Sequence, residues 1–163
     1  MPELTAERAR ELFSYDQLTG RITRIIRRGN QSKGSVAGYL NENGYVQIEV
    51  DGRGYLGHRV VWLMSNGAWP ENEIDHINGV RSDNRVDNLR DVTRTTNNEN
   101  KKGPNTNSST GFLGVSWRKS RSKYRAAIKC NGRQVHLGYF SFPEEAHEAY
   151  IEAKRRLHEG NTL

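Results

Sequence analysis

The chain has a single cysteine, Cys130, among 163 residues. No disulfide can form within it, and the paired-cysteine zinc sites that brace many small domains are ruled out, so any metal must sit among oxygen and imidazole ligands. Long apolar runs are missing too. No stretch reaches the roughly 18 apolar residues of a membrane helix, and Met1-Pro2-Glu3-Leu4-Thr5 lacks the basic-then-apolar order of a signal peptide. A soluble cytoplasmic protein with no membrane partner is expected. Apolar residues are only 34% of the chain and mean hydropathy is −0.88, which excludes one large core. Three Trp and seven Tyr can anchor two small ones.

Charge is plentiful and uneven. The net value is +6 with 27% charged residues, which favours a polyanionic partner. Residues 111–163 hold ten Lys and Arg against five acids, whereas residues 71–110 hold six against seven. The basic excess is therefore C-terminal, and the middle is balanced and acid-containing.

The first third reads as a short helix over residues 5–13 and then strands over 21–26, 36–40, 45–50 and 55–58. Val46, Ile48 and Val50 alternate with polar residues, and Asn43-Gly44 and Asp51-Gly52 are hairpin-turn dipeptides. From Arg59 the spacing of Val60, Val61, Leu63 and Met64 predicts a short buried helix ended by Asn66-Gly67. The stretch 101–111 has no apolar residue and predicts an exposed linker, which as a flexible chain of about ten residues would span on the order of 15–20 Å. Beyond it the pattern predicts strands over 112–119, 123–130 and 133–140. A helix over 143–158 follows, opened by a capping box of Ser141 and Glu144.

The densest chemistry is Asp75-His76-Ile77-Asn78-Gly79, then Asp83-Asn84-Arg85 and Asn88-Leu89-Arg90, then Asn97-Asn98-Glu99-Asn100. Hydrolysing a phosphodiester needs a base for the attacking water and a cation to neutralise charge, and His76 beside Asp75 could supply both. On a strand the two side chains leave on opposite faces. A carboxylate with an amide carbonyl suits an oxygen-preferring ion, Mg²⁺ or Mn²⁺.

Asp75-His76, an Asn twelve residues after the His, and another nine residues later resemble the HNH endonucleases, in the His-Asn-Asn form of phage homing endonucleases. The resemblance implies two strands and a helix around one divalent cation. It implies that His76 is the general base, that Asn88 orients the His76 strand, and that Asp75 and Asn97 bind the metal, with Asn100 as the alternative ligand. Arg85 and Lys101 are candidates for phosphate beside the site, and His58-Arg59 for a packing or phosphate role. An Asn in place of the final His favours hard cations over zinc.

In the tail, Gly111-Phe112-Leu113-Gly114-Val115-Ser116-Trp117, Tyr124-Arg125-Ala126-Ala127-Ile128, His136-Leu137-Gly138-Tyr139-Phe140 and Glu144-Glu145-Ala146 resemble the Apetala/ethylene-response-factor DNA-binding domain. That domain lays a three-stranded sheet into the major groove with a helix behind. From Arg118 to Arg133 there are seven basic residues and no acid, a phosphate-binding distribution. Arg118, Arg125, Lys129 and Arg133 are the candidate contacts, with Trp117 and His136 as face residues. Where the plant domains carry groove-facing arginines in the first strand this chain has Leu113 and Ser116, so their base contacts do not carry over.

The expectation is an α+β chain. Residues 1–57 form a small antiparallel sheet region that adds DNA contacts through Arg21, Arg24, Arg27 and Arg28, and residues 58–102 a ββα-metal nuclease. A linker follows at 103–110, and residues 111–163 form a DNA-binding module, a three-stranded antiparallel sheet packed on one helix. The function expected is a site-preferring, metal-dependent endonuclease of phage or bacterial type acting on double-stranded DNA. One site per chain cuts one strand, so a monomer nicks and a dimer is left open. The rival readings are a non-catalytic DNA-binding regulator on a degenerate nuclease fold, and an RNA-directed protein.

Overall fold

The expected N-terminal helix is α1 (Ala6–Leu12), with Thr5 Oγ1 accepting the Arg8 N–H at 3.2 Å as its N-cap. The computed structural model describes residues 3–104, 107–158 and 160–162. Met1 and Pro2 of the N-terminal region, Asn105 and Thr106 of the expected linker, and Glu159 and Leu163 of the C-terminal module lie outside the described residues. Two compact units divide the chain, Met1–Arg94 and Thr95–Leu163.

In the first unit α1 runs directly into β1 (Phe13–Asp16), which pairs antiparallel with β2 (Arg21–Arg24). The sequence pattern did not predict β1, because Phe13 falls within the expected helix and the three residues after it are too few to show alternation. A second sheet has the order β3 (Tyr39–Leu40), β4 (Val46–Val50), β5 (Arg53–Leu56). Asp51-Gly52 makes the predicted two-residue turn, both with positive φ (51° and 77°), and sets Val50 opposite Arg53.

The helix α2 (Gly57–Asn66) begins two residues before its apolar stripe suggests. It buries Val60, Val61, Leu63 and Met64 against Ala9, Leu12, Ile48 and Val50. Gly67 ends it in the left-handed conformation, as predicted, its N–H bonding the Leu63 carbonyl at 2.9 Å. Arg10 donates from Nε and Nη2 to the Met64 carbonyl at 3.1 and 2.5 Å, a positive charge on the last turn of α2. Then β6 (Glu73–His76) pairs antiparallel with β7 (Leu89–Val92), joined by a loop that closes in a 3₁₀ turn, Val86–Asn88. The Asp91 carboxylate accepts the N–H groups of Glu71 and Asn72 at 2.8 and 3.0 Å, which ties the entry of β6 to β7.

The unit boundary falls inside α3 (Arg94–Glu99), a helix with no buried residue on it. In the second unit β8 (Val115–Arg118), β9 (Lys123–Cys130) and β10 (Arg133–Phe140) form one antiparallel sheet in the order β10-β9-β8, covered by α4 (Pro143–Leu157). Its core is Val115, Ala126 and Ile128 of the sheet against Ala146, Tyr150 and Ala153 of α4. Gly114 makes this packing possible. It has φ +78°, and a Cβ there would lie 1.9 Å from the Tyr150 ring.

The expected capping box at Ser141 does not form. Phe142 occupies the N-cap with no side-chain hydrogen bond and Pro143 opens the helix, because a fixed φ and a missing N–H suit the first helical position and leave one donor fewer to cap. Within this unit Lys154, almost wholly buried, donates from Nζ to the Lys101 carbonyl. Burial, and then the like charge of Lys102, push its pKa below the usual lysine range. Glu99 accepts the Gly160 N–H at 3.2 Å. The segment after α3 is thereby held to the end of the chain.

Candidate functional site: a buried histidine on a two-stranded ribbon

Asp75 and His76 are adjacent on β6, 6% and 4% exposed. Alternation sends them to opposite faces of the ribbon. Across it, Asp75 is in register with Arg90 and His76 with Leu89. Arg90 donates to one Asp75 oxygen, Oδ2, from Nη2 at 2.7 Å and Nε at 2.9 Å, so the carboxylate is neutralised by its strand partner.

His76 Nε2 lies 3.2 Å from Asn84 Oδ1, and Asn84 is 2% exposed. An amide oxygen accepts, so this contact places the proton on Nε2 and leaves the lone pair on Nδ1. Burial holds the imidazole below the usual histidine range, opposed by the Asn84 hydrogen bond and by the charges of Asp75 and Asp83.

Asn84 is itself fixed from far away. The Tyr15 hydroxyl donates to the Asn84 carbonyl at 3.1 Å and accepts the Val86 N–H at 2.8 Å. The turn before β2 packs on the same backbone: Gly20 has φ +71°, and a Cβ there would lie 2.6 Å from the Arg85 nitrogen.

The loop between the strands is built around Asn88, which is buried. Its Oδ1 accepts the Asn78 N–H at 2.9 Å, its Nδ2 donates to the Asp83 carbonyl at 2.8 Å, and its own carbonyl accepts the Ile77 N–H at 2.9 Å. Asn88 therefore ties down the two residues after His76. Asp83 pairs with Arg85 at 2.6 Å and accepts from Asn78 Nδ2 at 2.7 Å. The Arg85 hydrogen bond is the chief reason its carboxyl is held down to about 2.

Two aromatic rings close over His76. His58 of α2 meets it edge to face with centroids 5.0 Å apart, and Tyr45 stands 5.9 Å from His76 and 5.2 Å from His58. Arg81 lies over Tyr45 at 5.1 Å and donates to the Asn43 carbonyl at 2.9 Å. His58 is buried, and its Nδ1 has no hydrogen-bond partner among the described residues. Burial, then the His76 charge, pushes it down to about 3.

The first unit thus brings together Asp75, His76, Asn88 and Arg85 of the sequence candidates, and adds Asn84, Tyr15, Tyr45 and Arg90. Asn84 lies in the Asp83-Asn84-Arg85 block quoted above, so its importance was within reach. Tyr15 and Tyr45 carry no local signal. Asn97 stands half-buried on α3 in the second unit, with Asn100 and Lys101 after it. Asn100 is buried and its Oδ1 accepts the Thr162 hydroxyl, a structural use of that amide.

A cation here would meet oxygen chemistry. Among the described residues no three His, Cys, Asp or Glu side chains converge as a metal-holding group. The buried Asp75 carboxylate is an oxygen donor of the kind that a hard, partly hydrated divalent ion takes.

In the second unit, strand register sorts the basic residues by face. Ser116 faces Arg125, Arg118 faces Lys123, Arg125 faces Tyr139, and Lys129 faces Gln134. Alternation puts these on the side away from α4, with His136 opposite Ala127. Arg125 is steadied there by Gln134 Oε1 at 3.3 Å and His136 Nδ1 at 3.4 Å. Trp117 belongs to the other set, beside Val115 and against Tyr124 with centroids 4.7 Å apart, though 46% exposed. Arg133 is opposite Cys130 at the hairpin end. Ser116, Arg118, Arg125 and Gln134 line a depression of about 410 Å³, with Phe112 and Leu113 among its other walls.

Comparison with known proteins agrees with both local patterns. Residues 55–99 match the HNH endonuclease family, and residues 110–160 match the AP2 domain. Protein 3.8 of Escherichia phage T7 is 38% identical over 78 residues, a match that covers 47% of this chain and 64% of that protein. The chain thus spans less than two thirds of that relative's length. No solved structure matches the chain significantly. The chain carries an HNH endonuclease domain followed by an AP2 domain.

Proposed function

We propose that this protein is a metal-dependent DNA endonuclease that nicks one strand of a duplex, with His76 as the general base and the C-terminal sheet as the DNA-holding surface. The observation that carries the reading is the Asn84–His76 contact. It fixes a neutral imidazole with its proton on Nε2, so that Nδ1 takes the proton of an attacking water. Burial keeps that base unprotonated at neutral pH.

Asn88 positions His76 by holding the chain that leaves β6, and Arg90 orients Asp75 through two hydrogen bonds to one carboxylate oxygen. Asp75 and Asn97 would hold one Mg²⁺ or Mn²⁺, which when bound neutralises charge on the phosphate and the leaving oxygen. Arg118, Arg125 and Lys129 meet backbone phosphates, supported by their common face and the acid-free stretch from Arg118 to Arg133. Arg85 and Lys101 are secondary contacts, while Trp117 and Arg133 belong to the other alternation set of the sheet. The nuclease at 58–102, the linker at 103–110 and the DNA-binding module at 111–163 divide the work, so that the tail positions and the middle cuts.

Supercoiled plasmid incubated with Mg²⁺, with and without EDTA, tests the reading. Wild type converts it to the open-circular form and His76→Ala loses at least about 100-fold in rate while retaining duplex binding. Undiminished cutting by His76→Ala removes the central role. Binding without Mg²⁺-dependent cutting in wild type favours a DNA-binding regulator instead.

A further inference from the structure

The strongest feature that the nuclease reading leaves unused is Arg24, the last residue of β2 in the first unit. It lies outside the stretches that match either domain. The residue is 7% exposed, and its guanidinium makes no hydrogen bond or ion pair among the described residues; Nε is fully buried with no partner. Among the described residues the favourable contact of the guanidinium is the Phe13 ring, 5.5 Å away. Burial, and then the like charge of Arg28, disfavour its charged form. Buried guanidinium groups are almost always matched by an anion, and a cation–π contact does not replace the hydration lost at the buried Nε–H.

Arg24 opens onto a pocket of about 210 Å³ that Arg28, Gly29, Gln31, Glu49, Asp51 and Gly52 also line. The acids there are accounted for differently. Asp51 is taken, by Arg28 at 2.5 Å and Arg8 at 3.6 Å. Glu49 is exposed on β4 and makes no ion pair with Arg24, although it lines the same pocket. Two arginines and two acids therefore line the concave site, and with Asp51 held by Arg28 and Arg8, Arg24 is the lining cation with no acid paired to it among the described residues.

We infer that this pocket is an oxyanion site in which Arg24 grips a phosphate group. The fork geometry suits bidentate binding of two phosphate oxygens. The source that fits the rest of the molecule is a DNA backbone phosphate beside the N-terminal sheet. That identification rests on the proposed DNA-directed function, whereas the oxyanion site itself does not.

The full chain is compared as wild type, Arg24→Met, Arg24→Lys and Arg21→Met, the last an exposed arginine of the same strand, outside the pocket lining, that controls for loss of charge in the thermal midpoints. Thermal midpoints are read in inorganic phosphate and in chloride at matched ionic strength, and duplex-DNA affinity is read against salt. In wild type and Arg21→Met, phosphate raises the midpoint above its value in chloride. In Arg24→Met that difference disappears, while the chloride midpoint is unchanged or higher, because an unmatched buried charge has been removed. Arg24→Lys keeps the charge but not the fork and keeps only part of the phosphate effect.

With DNA, Arg24→Met lowers affinity several-fold and reduces the slope of log K against log salt by about one. A lost phosphate effect with unchanged DNA binding supports the site and assigns it to a free oxyanion. If wild type binds no DNA, the functional reading fails and the phosphate arm still decides this one. A chloride midpoint lowered in Arg24→Met, with the phosphate increment intact, makes Arg24 a structural cation and overturns the inference. So does a drop in midpoint in Glu49→Gln, which shows Glu49 to be its partner.

Discussion

His58 and His76 meet edge to face, ring centroids 5.0 Å apart and planes at 80°, although 18 residues and two different elements separate them. Both are buried, and both are held below the usual histidine range chiefly by that burial. Protonating either places a charge in a site that solvent cannot screen.

This pair predicts an acid-sensitive first unit. A folded-state pKa depressed to about 3 for His58 means that the unfolded chain binds the proton first. The contribution of neutral, buried His58 is thus full above the unfolded value near 6.5, declines as pH drops through the window from about 6.5 to 3, and is gone below it. His58→Phe keeps the ring and removes the titration. Between pH 7.5 and 5 wild type should lose about 1–2 kcal/mol more than His58→Phe by urea unfolding. Equal losses sink the prediction.

Asn84 predicts an effect on cleavage that stability alone does not produce. Asn84→Ala removes the acceptor that holds the proton on His76 Nε2, so the imidazole can present the wrong nitrogen to water. Nicking should fall by about 10–100-fold with DNA affinity unchanged, and the acid limb of the pH–rate profile should move. A proportional loss of DNA binding would show that Asn84 serves only the fold.

How much of this was legible beforehand follows from distance along the chain. Asp75, His76 and Asn88 could be singled out because one hairpin supplies them, so that the spacing that carries the family resemblance lies within a few residues. Tyr15 acts on Asn84 across 69 residues, so nothing near either residue advertises the contact. The faces of the C-terminal sheet depended on register. Alternation alone separates Trp117 from Arg125, but deciding which face α4 covers required the cross-strand pairs. The capping box failed because Pro143 supplied a competing helix start one residue on. For Arg94–Glu99, a polar helix with no apolar stripe gives periodicity nothing to assign.

Arg90 and Asp75 predict a balance between a built-in cation and an added one. Arg90→Met removes the charge partner of a buried carboxylate, a cost of about 1–3 kcal/mol given that Arg90 is partly exposed. Mg²⁺ binding at Asp75 should restore part of that loss, so the variant's urea midpoint should rise more with Mg²⁺ than the wild type's. Calorimetry or thermal melts with Mg²⁺ and EDTA read this without any cleavage. The same Mg²⁺ increment in both proteins would detach Arg90 from the metal site.

The C-terminal sheet predicts which substitutions weaken DNA binding uniformly. Arg118, Arg125 and Lys129 share the face away from α4, and Arg125 is already steadied by Gln134 and His136. A residue that meets a phosphate gives up about 0.9 of a unit in the slope of log K against log salt when it is removed. Arg125→Ala should therefore lower that slope by about one and weaken binding to unrelated duplexes alike. Arg155→Ala, exposed on α4 at the opposite side of the sheet, should leave the slope as it is. Equal effects of the two would mean that net charge rather than face determines binding, and a loss confined to one duplex sequence would make Arg125 a base-reading residue.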